Sequence, residues 1–157
     1  MRIIVISDTH GRTFNLKKVC QKQSSADVFI HLGDGISDLD SIKSLYPNIA
    51  FISVKGNVDF GINEQFEKLL VLEEKRIFLC HGHKYGVKGS LESFLAAARN
   101  AYADIALFGH THNAFYSFSS GMYIMNPGSL ERPVFDSAKF GIIDIQKGTI
   151  TAYLSDV

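Results

Sequence analysis

The stretch Met1-Arg2-Ile3-Ile4-Val5-Ile6-Ser7-Asp8-Thr9-His10 decides the fold. Its largely β-branched run from Ile3 to Ser7 is stiff at χ1 and packs well on a pleated surface, so it reads as a first strand. Asp8 ends the run, which is far too short for a signal or membrane segment. The strand therefore delivers an Asp-x-His pair to its carboxyl end.

Asp27 to Leu32 and Ile49 to Val54 are further short β-branched or aromatic runs. Two helix-length polar-apolar stretches, Asn15 to Gln23 and Ser37 to Leu45, separate the three strands. This alternation predicts βαβ units around a buried sheet, an α/β architecture. After Asn57 the pattern changes: Gln65 to Leu72 and Lys75 to Cys80 flank the charged turn Glu73-Glu74 as a hairpin. An alanine-rich helix over Ser90 to Tyr102, with Ser90 as its cap, leads to a strand at Asp104 to Phe108. Three or four β segments follow, broken by Gly121, Pro127-Gly128 and Gly148, and predict a second sheet of mixed or antiparallel strands.

A chain of 157 residues, 46% apolar and 20% charged, fits one domain over residues 1–157, with no room for a second catalytic one. Sixteen basic residues balance sixteen acidic ones, so no broad cationic field exists and strong nucleic-acid binding is not expected. Cys20 and Cys80 form no CxxC pair, which fits a reducing compartment. A cytoplasmic protein without a membrane partner is the expectation. Homo-oligomerisation is compatible with the sequence, but no pattern locates an interface.

Residues suited to metal ligation sit in five clusters: Asp8-Thr9-His10, Gly33-Asp34, Gly56-Asn57, His81-Gly82-His83 and Gly109-His110-Thr111-His112. Each lies at or just past the end of an apolar run, and ligands of open α/β sheets bind beyond the carboxyl ends of strands. Carboxylate oxygen with neutral imidazole suits borderline divalent ions, and two such ions point to phosphoester cleavage. Singly the clusters mean little, since an aspartate after a strand is often a turn former or cap, and surface turns carry His-x-His pairs too. Their joint occurrence in this order carries the argument. Other features have plain structural readings: His31 as a hydrogen-bonded core or rim histidine, Cys80 as a small buried side chain, Phe108, Phe115 and Phe118 as core, and Asn126-Pro127-Gly128-Ser129 as a turn.

On these clusters the sequence resembles the calcineurin-like metallophosphoesterase superfamily, whose pattern runs D-x-H, G-D, G-N-H/E, H and G-H-x-H. Within it the chain is most similar to small YfcE-type phosphodiesterases, through Gly56-Asn57-Val58-Asp59, His81-Gly82-His83 and Asn126-Pro127-Gly128-Ser129. The resemblance implies a two-sheet β-sandwich flanked by helices, a four-layer αββα arrangement. It implies one metal on Asp8, His10, Asp34 and His112, and another on Asp34, Asn57, His81 and His110, with Asp34 bridging. The implied activity is hydrolysis of a small phosphoester, as a phosphodiesterase, by a hydroxide bridging two divalent ions. Manganese is the first choice, with iron, zinc, nickel or cobalt compatible. Where many members carry a histidine after the G-N asparagine, this chain has Val58. That leaves His83 as the substitute acid, or as a hydrogen-bond donor to a ligand, and Asn57 as the other catalytic candidate. Activated aryl esters should therefore be cleaved much faster than alkyl phosphates.

The alternative of a different class is a non-catalytic interaction scaffold of the same fold, as in the retromer subunit, against which the complete ligand set argues. A metallo-β-lactamase-like hydrolase would need His-x-His-x-Asp-His, and Lys84-Tyr85-Gly86 follows His83 instead. A serine hydrolase lacks its G-x-S-x-G elbow. Specificity is expected in loops such as Phe60 to Gln65 and Arg132 to Asp136, with Arg132 and Lys84 as candidate phosphate contacts and solvated charge as their plainer role.

Overall fold

The computed structural model describes residues 1–134 and 137–157. Its strands are β1 (Arg2–Ile6), β2 (Val28–His31), β3 (Ala50–Ser53), β4 (Glu67–Leu72), β5 (Lys75–Cys80), β6 (Ile105–Leu107), β7 (Ala114–Ser119), β8 (Met122–Pro127), β9 (Lys139–Gln146) and β10 (Thr149–Asp156). Its helices are α1 (Phe14–Lys22), α2 (Asp40–Lys43) and α3 (Glu92–Asn100).

Successive side chains of a strand point to opposite faces, and β1 uses both. Ile3 and Val5 pack with Ile77, Leu79, Ile105 and Leu107 between two sheets, while Ile4 and Ile6 pack with Leu16, Val19, Leu39 and Ile42 beneath α1 and α2. Across the molecule, Phe78, Ala106 and Phe108 cover Phe94 and Ala98 of α3. The layers are therefore helix, sheet, sheet, helix, as expected. One sheet runs β10-β9-β1-β2-β3 and the other β4-β5-β6-β8-β7, both mixed. In the first, β1, β2 and β3 are parallel; in the second, β5, β6 and β8 are parallel. Both parallel sets send their carboxyl ends to one rim, where all five ligand clusters lie. Among the described residues no helix is long and apolar enough to cross a membrane.

Three expectations need correction. The helix expected over Ser37 to Leu45 is a 3₁₀ turn (Ile36–Leu39) followed by the single turn of α2. Asp38 turns its carboxylate onto the Thr9 hydroxyl at 2.5 Å and the Gly11 N–H at 2.9 Å, which tightens the backbone there. Pro47 closes the segment by disfavouring helical geometry at Tyr46. Helix α3 starts at Glu92, with Leu91 rather than Ser90 at its N-cap, although the Ser90 hydroxyl accepts the Glu92 N–H at 3.1 Å. Only Phe108 of the three grouped phenylalanines is core: Phe115 and Phe118 are 39% and 58% exposed because β7 is an edge strand.

Candidate metal centre

Neighbouring loops at the rim are stitched by backbone hydrogen bonds of 3.0 Å: Asp8 N–H to the Gly33 carbonyl, His10 N–H to that of Asp34, and Gly109 N–H to that of His81. Asp8, His10, Asp34, His110 and His112 all have positive φ, between 49° and 68°. Each such non-glycine residue costs on the order of 1 kcal/mol, and strain of this kind persists where surrounding structure over-determines it. Here it turns the side chains inward.

Two groups of ligand atoms result, Asp8 with His10 and His112, and Asp34 with His81 and His110, each with its atoms within 4.8 Å of one another. In the first group the two Nε2 atoms lie 3.0 Å apart, and Asp8 Oδ1 lies 3.1 Å from that of His112 and 3.6 Å from that of His10. The Ser7 hydroxyl and the His110 N–H occupy Asp8 Oδ2. Oδ1 is buried, makes no aligned hydrogen bond, and points at the imidazoles.

In the second group the His81 Nδ1–H donates to the Leu32 carbonyl at 2.7 Å, which leaves the neutral ring's lone pair on Nε2. That lone pair faces Asn57 Oδ1 at 3.1 Å, His110 Nδ1 at 3.2 Å and Asp34 Oδ2 at 3.3 Å. A ring nitrogen facing two acceptor oxygens in a buried place needs a proton or a cation between them. The oxygen and nitrogen donors fit divalent ions.

Charge follows the same geometry. Burial works against the Asp8 carboxylate, but the His10 and His112 imidazoles close to it and the charge of His81 outweigh it and hold Asp8 well below the usual range. Asp34 is likewise lowered, its burial outweighed by His81. His81 is raised, with Asp34 and Asp8 overcoming its burial, and His112 is raised by the Asp8 carboxylate beside it. His110 falls to about 4, through burial first and then the charges of His81 and Lys88. Two ionised carboxylates at the centre favour cation capture.

All seven expected ligand residues thus meet at one place. Asp34 groups with His81 and His110 and not with the Asp8 set. His83 stands beside the groups, its ring 5.4 Å from that of His81 and 6.1 Å from that of His110, and its buried Nδ1 lacks a hydrogen-bond partner. Lys84 sits 3.4 Å over the Phe66 ring. Arg132 lines a cleft of about 330 Å³ with His10 and Val58, so the position of the missing histidine is at the site. Phe135 and Asp136 of the expected specificity loop lie outside the described residues.

Sequence reasoning missed the groups that brace these loops. The Asp59 carboxylate accepts N–H groups from Asp34, Gly35 and Gly56 at 2.8 Å and from Ile36 at 3.0 Å, tying the loop that carries Asp34 to the one that carries Asn57. These loops touch because both hold glycine: a Cβ on Gly33 would lie 2.6 Å from Gly56 N, and one on Gly56 would lie 2.1 Å from Asp34 Oδ1. Asn126, read as part of a turn, donates to the Gly109 carbonyl and the Thr111 hydroxyl at 3.0 Å, and the Ser129 hydroxyl donates to the Asp8 carbonyl at 2.8 Å. The spacing Asn57-x-Asp59 was the available signal for the first brace. His31 is the core histidine expected, accepting the Gly33 N–H at 3.1 Å and donating to the Thr9 hydroxyl at 3.2 Å. Cys80 is buried, which pushes its thiol up and makes it a poor nucleophile.

Comparison with known proteins agrees with this geometry. Residues 1–148 match the calcineurin-like phosphoesterase superfamily domain. The chain is 30% identical to the probable metallophosphoesterase YsnB of Bacillus subtilis, over 99% of this chain and 91% of that protein. It is 27% identical to the phosphodiesterase MJ0936 of Methanocaldococcus jannaschii, over 94% and 95% respectively. The structure of Vps29 from Entamoeba histolytica complexed with zinc superposes with a TM-score of 0.76 at 21% identity, covering 99% of each chain. With the family domain matched over nearly its whole length, this chain belongs to the calcineurin-like phosphoesterase superfamily.

Proposed function

We propose that this protein is a dinuclear metal-dependent phosphodiesterase acting on a small phosphoester. The observation that carries the reading is His81 Nε2 confronting Asn57 Oδ1, Asp34 Oδ2 and His110 Nδ1, beside a second group of like chemistry. On this reading Asp8, His10, Asp34 and His112 hold one ion and Asp34, Asn57, His81 and His110 the other, with Asp34 shared. Manganese is the first choice, with iron, zinc, nickel and cobalt compatible. When bound, the ions supply an acidified water as nucleophile and positive charge for the phosphoryl oxygens.

The chain's own residues supply the rest. Asn57 has its amide nitrogen free to donate to a phosphoryl oxygen while its Oδ1 faces His81. His83, close to His81 and His110, holds the proton for the departing alkoxide, the role left open by Val58. Arg132, in the cleft with His10, orients the phosphate. The diesterase preference draws support from the phosphodiesterase named among the relatives. Two free buried cysteines support a cytoplasmic location, and the match over residues 1–148 supports a single domain.

The Vps29 likeness raises the scaffold alternative. Manganese-reconstituted protein assayed with aryl phosphodiesters, phosphomonoesters and cyclic nucleotides decides between them. Turnover that Asp34→Asn and His81→Ala abolish, with the far-ultraviolet spectrum unchanged, is the expected result. Unaltered turnover in both variants, or a wild-type protein that holds no metal, overturns the assignment.

A further inference from the structure

On the α3 side of the ligand loop 109–113 lies a second cleft, of about 520 Å³, within the size range of small-molecule sites. Val87, Leu91, Phe108, Ala114, Phe115 and Val134 form its apolar wall, and Lys88 is the one charged side chain lining it among the described residues. Thr111 and Asn113 complete it, and these residues alternate along the chain with His110 and His112. The cleft is thus built on the same loop that brings two candidate ligands to the metal groups.

The two clefts differ in chemistry. The one lined by His10, Ser37, Asp59 and Arg132 is polar, and suits phosphoryl oxygens. The other leaves Leu91 partly open and Phe115 39% exposed beside a charged centre, where water contact brings no benefit. Apolar surface of that kind is covered favourably by an apolar group, at roughly 25 cal/mol for each Å² removed from water. A phosphoester held at the metal groups has such a group to offer, since each ester oxygen carries an organic substituent.

We propose that the cleft formed by Val87, Leu91, Phe108 and Phe115 receives an aromatic or branched aliphatic substituent of the phosphoester, which makes the protein selective for phosphoesters with a bulky apolar group. This rests on the phosphoesterase reading above and names its substrate class. Lys88, the charged side chain of this cleft, offers a cation to the phosphoryl group as Arg132 does from the polar cleft.

The test uses the manganese-loaded full chain and inert phosphonates, whose carbon–phosphorus bond is not hydrolysed, with affinity read by calorimetry. Naphthylphosphonate should bind at least tenfold more tightly than methylphosphonate. Leu91→Asp and Phe115→Ser, placed on different elements, should each bring naphthylphosphonate close to the methylphosphonate value while methylphosphonate itself changes less than twofold. Its retained binding reports that each variant is folded. Lys88→Gln should weaken both ligands alike. Equal binding of the two phosphonates by the wild type, or a naphthyl preference that survives both cleft substitutions, overturns the cleft assignment and leaves the metal reading standing. Failure of the manganese-loaded wild type to bind either phosphonate overturns the phosphoesterase reading itself.

Discussion

Asp59 accepts the backbone N–H of Asp34 at 2.8 Å, and the same carboxylate oxygen accepts the N–H of Gly56 at 2.8 Å. One buried side chain thereby sets the distance between the loops that carry Asp34 and Asn57. An amide in its place would turn one acceptor into a donor aimed at N–H groups. Asp59→Asn should weaken manganese binding by roughly 10- to 100-fold, as loss of a partner behind a ligand does. It should also lower stability by on the order of 3 kcal/mol through the buried N–H groups left without acceptors. Metal titration and urea unfolding measure the two effects. Wild-type metal affinity in a stably folded variant would refute the bracing role.

Gly56→Ala places a methyl group 2.1 Å from Asp34 Oδ1 and 2.5 Å from Asp34 N. Neither can yield without moving a ligand, so turnover should fall by about 100-fold, the order expected of a 1 Å misplacement. Gly89→Ala, whose new Cβ would meet only the Gly86 carbonyl at 3.6 Å, serves as the control and should keep full activity. Steady-state kinetics on the pair checks this, together with metal content per chain.

His31 is fully buried, and burial depresses its pKa to about 4. Between that value and the unfolded histidine value near 6.5 the unfolded chain binds a proton that the native state refuses, so stability rises with pH across this window and falls on acidification. The contribution should be on the order of 3 kcal/mol between pH 6.5 and 4. Urea unfolding of the metal-free protein at several pH values measures the slope, and His31→Gln should reduce it, leaving the part that His110, also held near 4, contributes.

Chelation should lower the melting temperature, since His81 Nε2, Asn57 Oδ1 and Asp34 Oδ2 then lose the cation that ties their loops together. Restoring manganese to about 100 times its dissociation constant should return roughly 2.7 kcal/mol for each site filled. Differential scanning calorimetry with and without chelator checks it. A melting temperature indifferent to metal would mean that neither group binds an ion.

Much of this was legible because β1, β2, β5 and β6 are buried on both faces and so read as plain apolar runs. The same strands explain why the clusters after them converge, since parallel strands gather their carboxyl ends at one rim. What escaped notice depends on partners distant in sequence. The spacing Asn57-x-Asp59 hints at a brace but does not give its partners, the N–H groups of Asp34, Gly35 and Ile36, and nothing around Asn126 reveals Gly109. Phe115 was misjudged because its apolarity is local, whereas its exposure follows from the edge position of β7. The segment over Ser37 to Leu45 has helical periodicity, but Asp38 is drawn to Thr9 from a different part of the chain.

Neither ligand group can exist without the loop at 109–112, for His112 completes the Asp8 and His10 set and His110 completes that of Asp34 and His81. His10 and His112 are 102 residues apart. A chain emerging from the ribosome therefore carries Asp8 and His10 for most of its synthesis with nothing to grip. On the proposed reading metal uptake would be a late event of biogenesis, and a nascent product released before His110 leaves the exit tunnel would have neither candidate cation site.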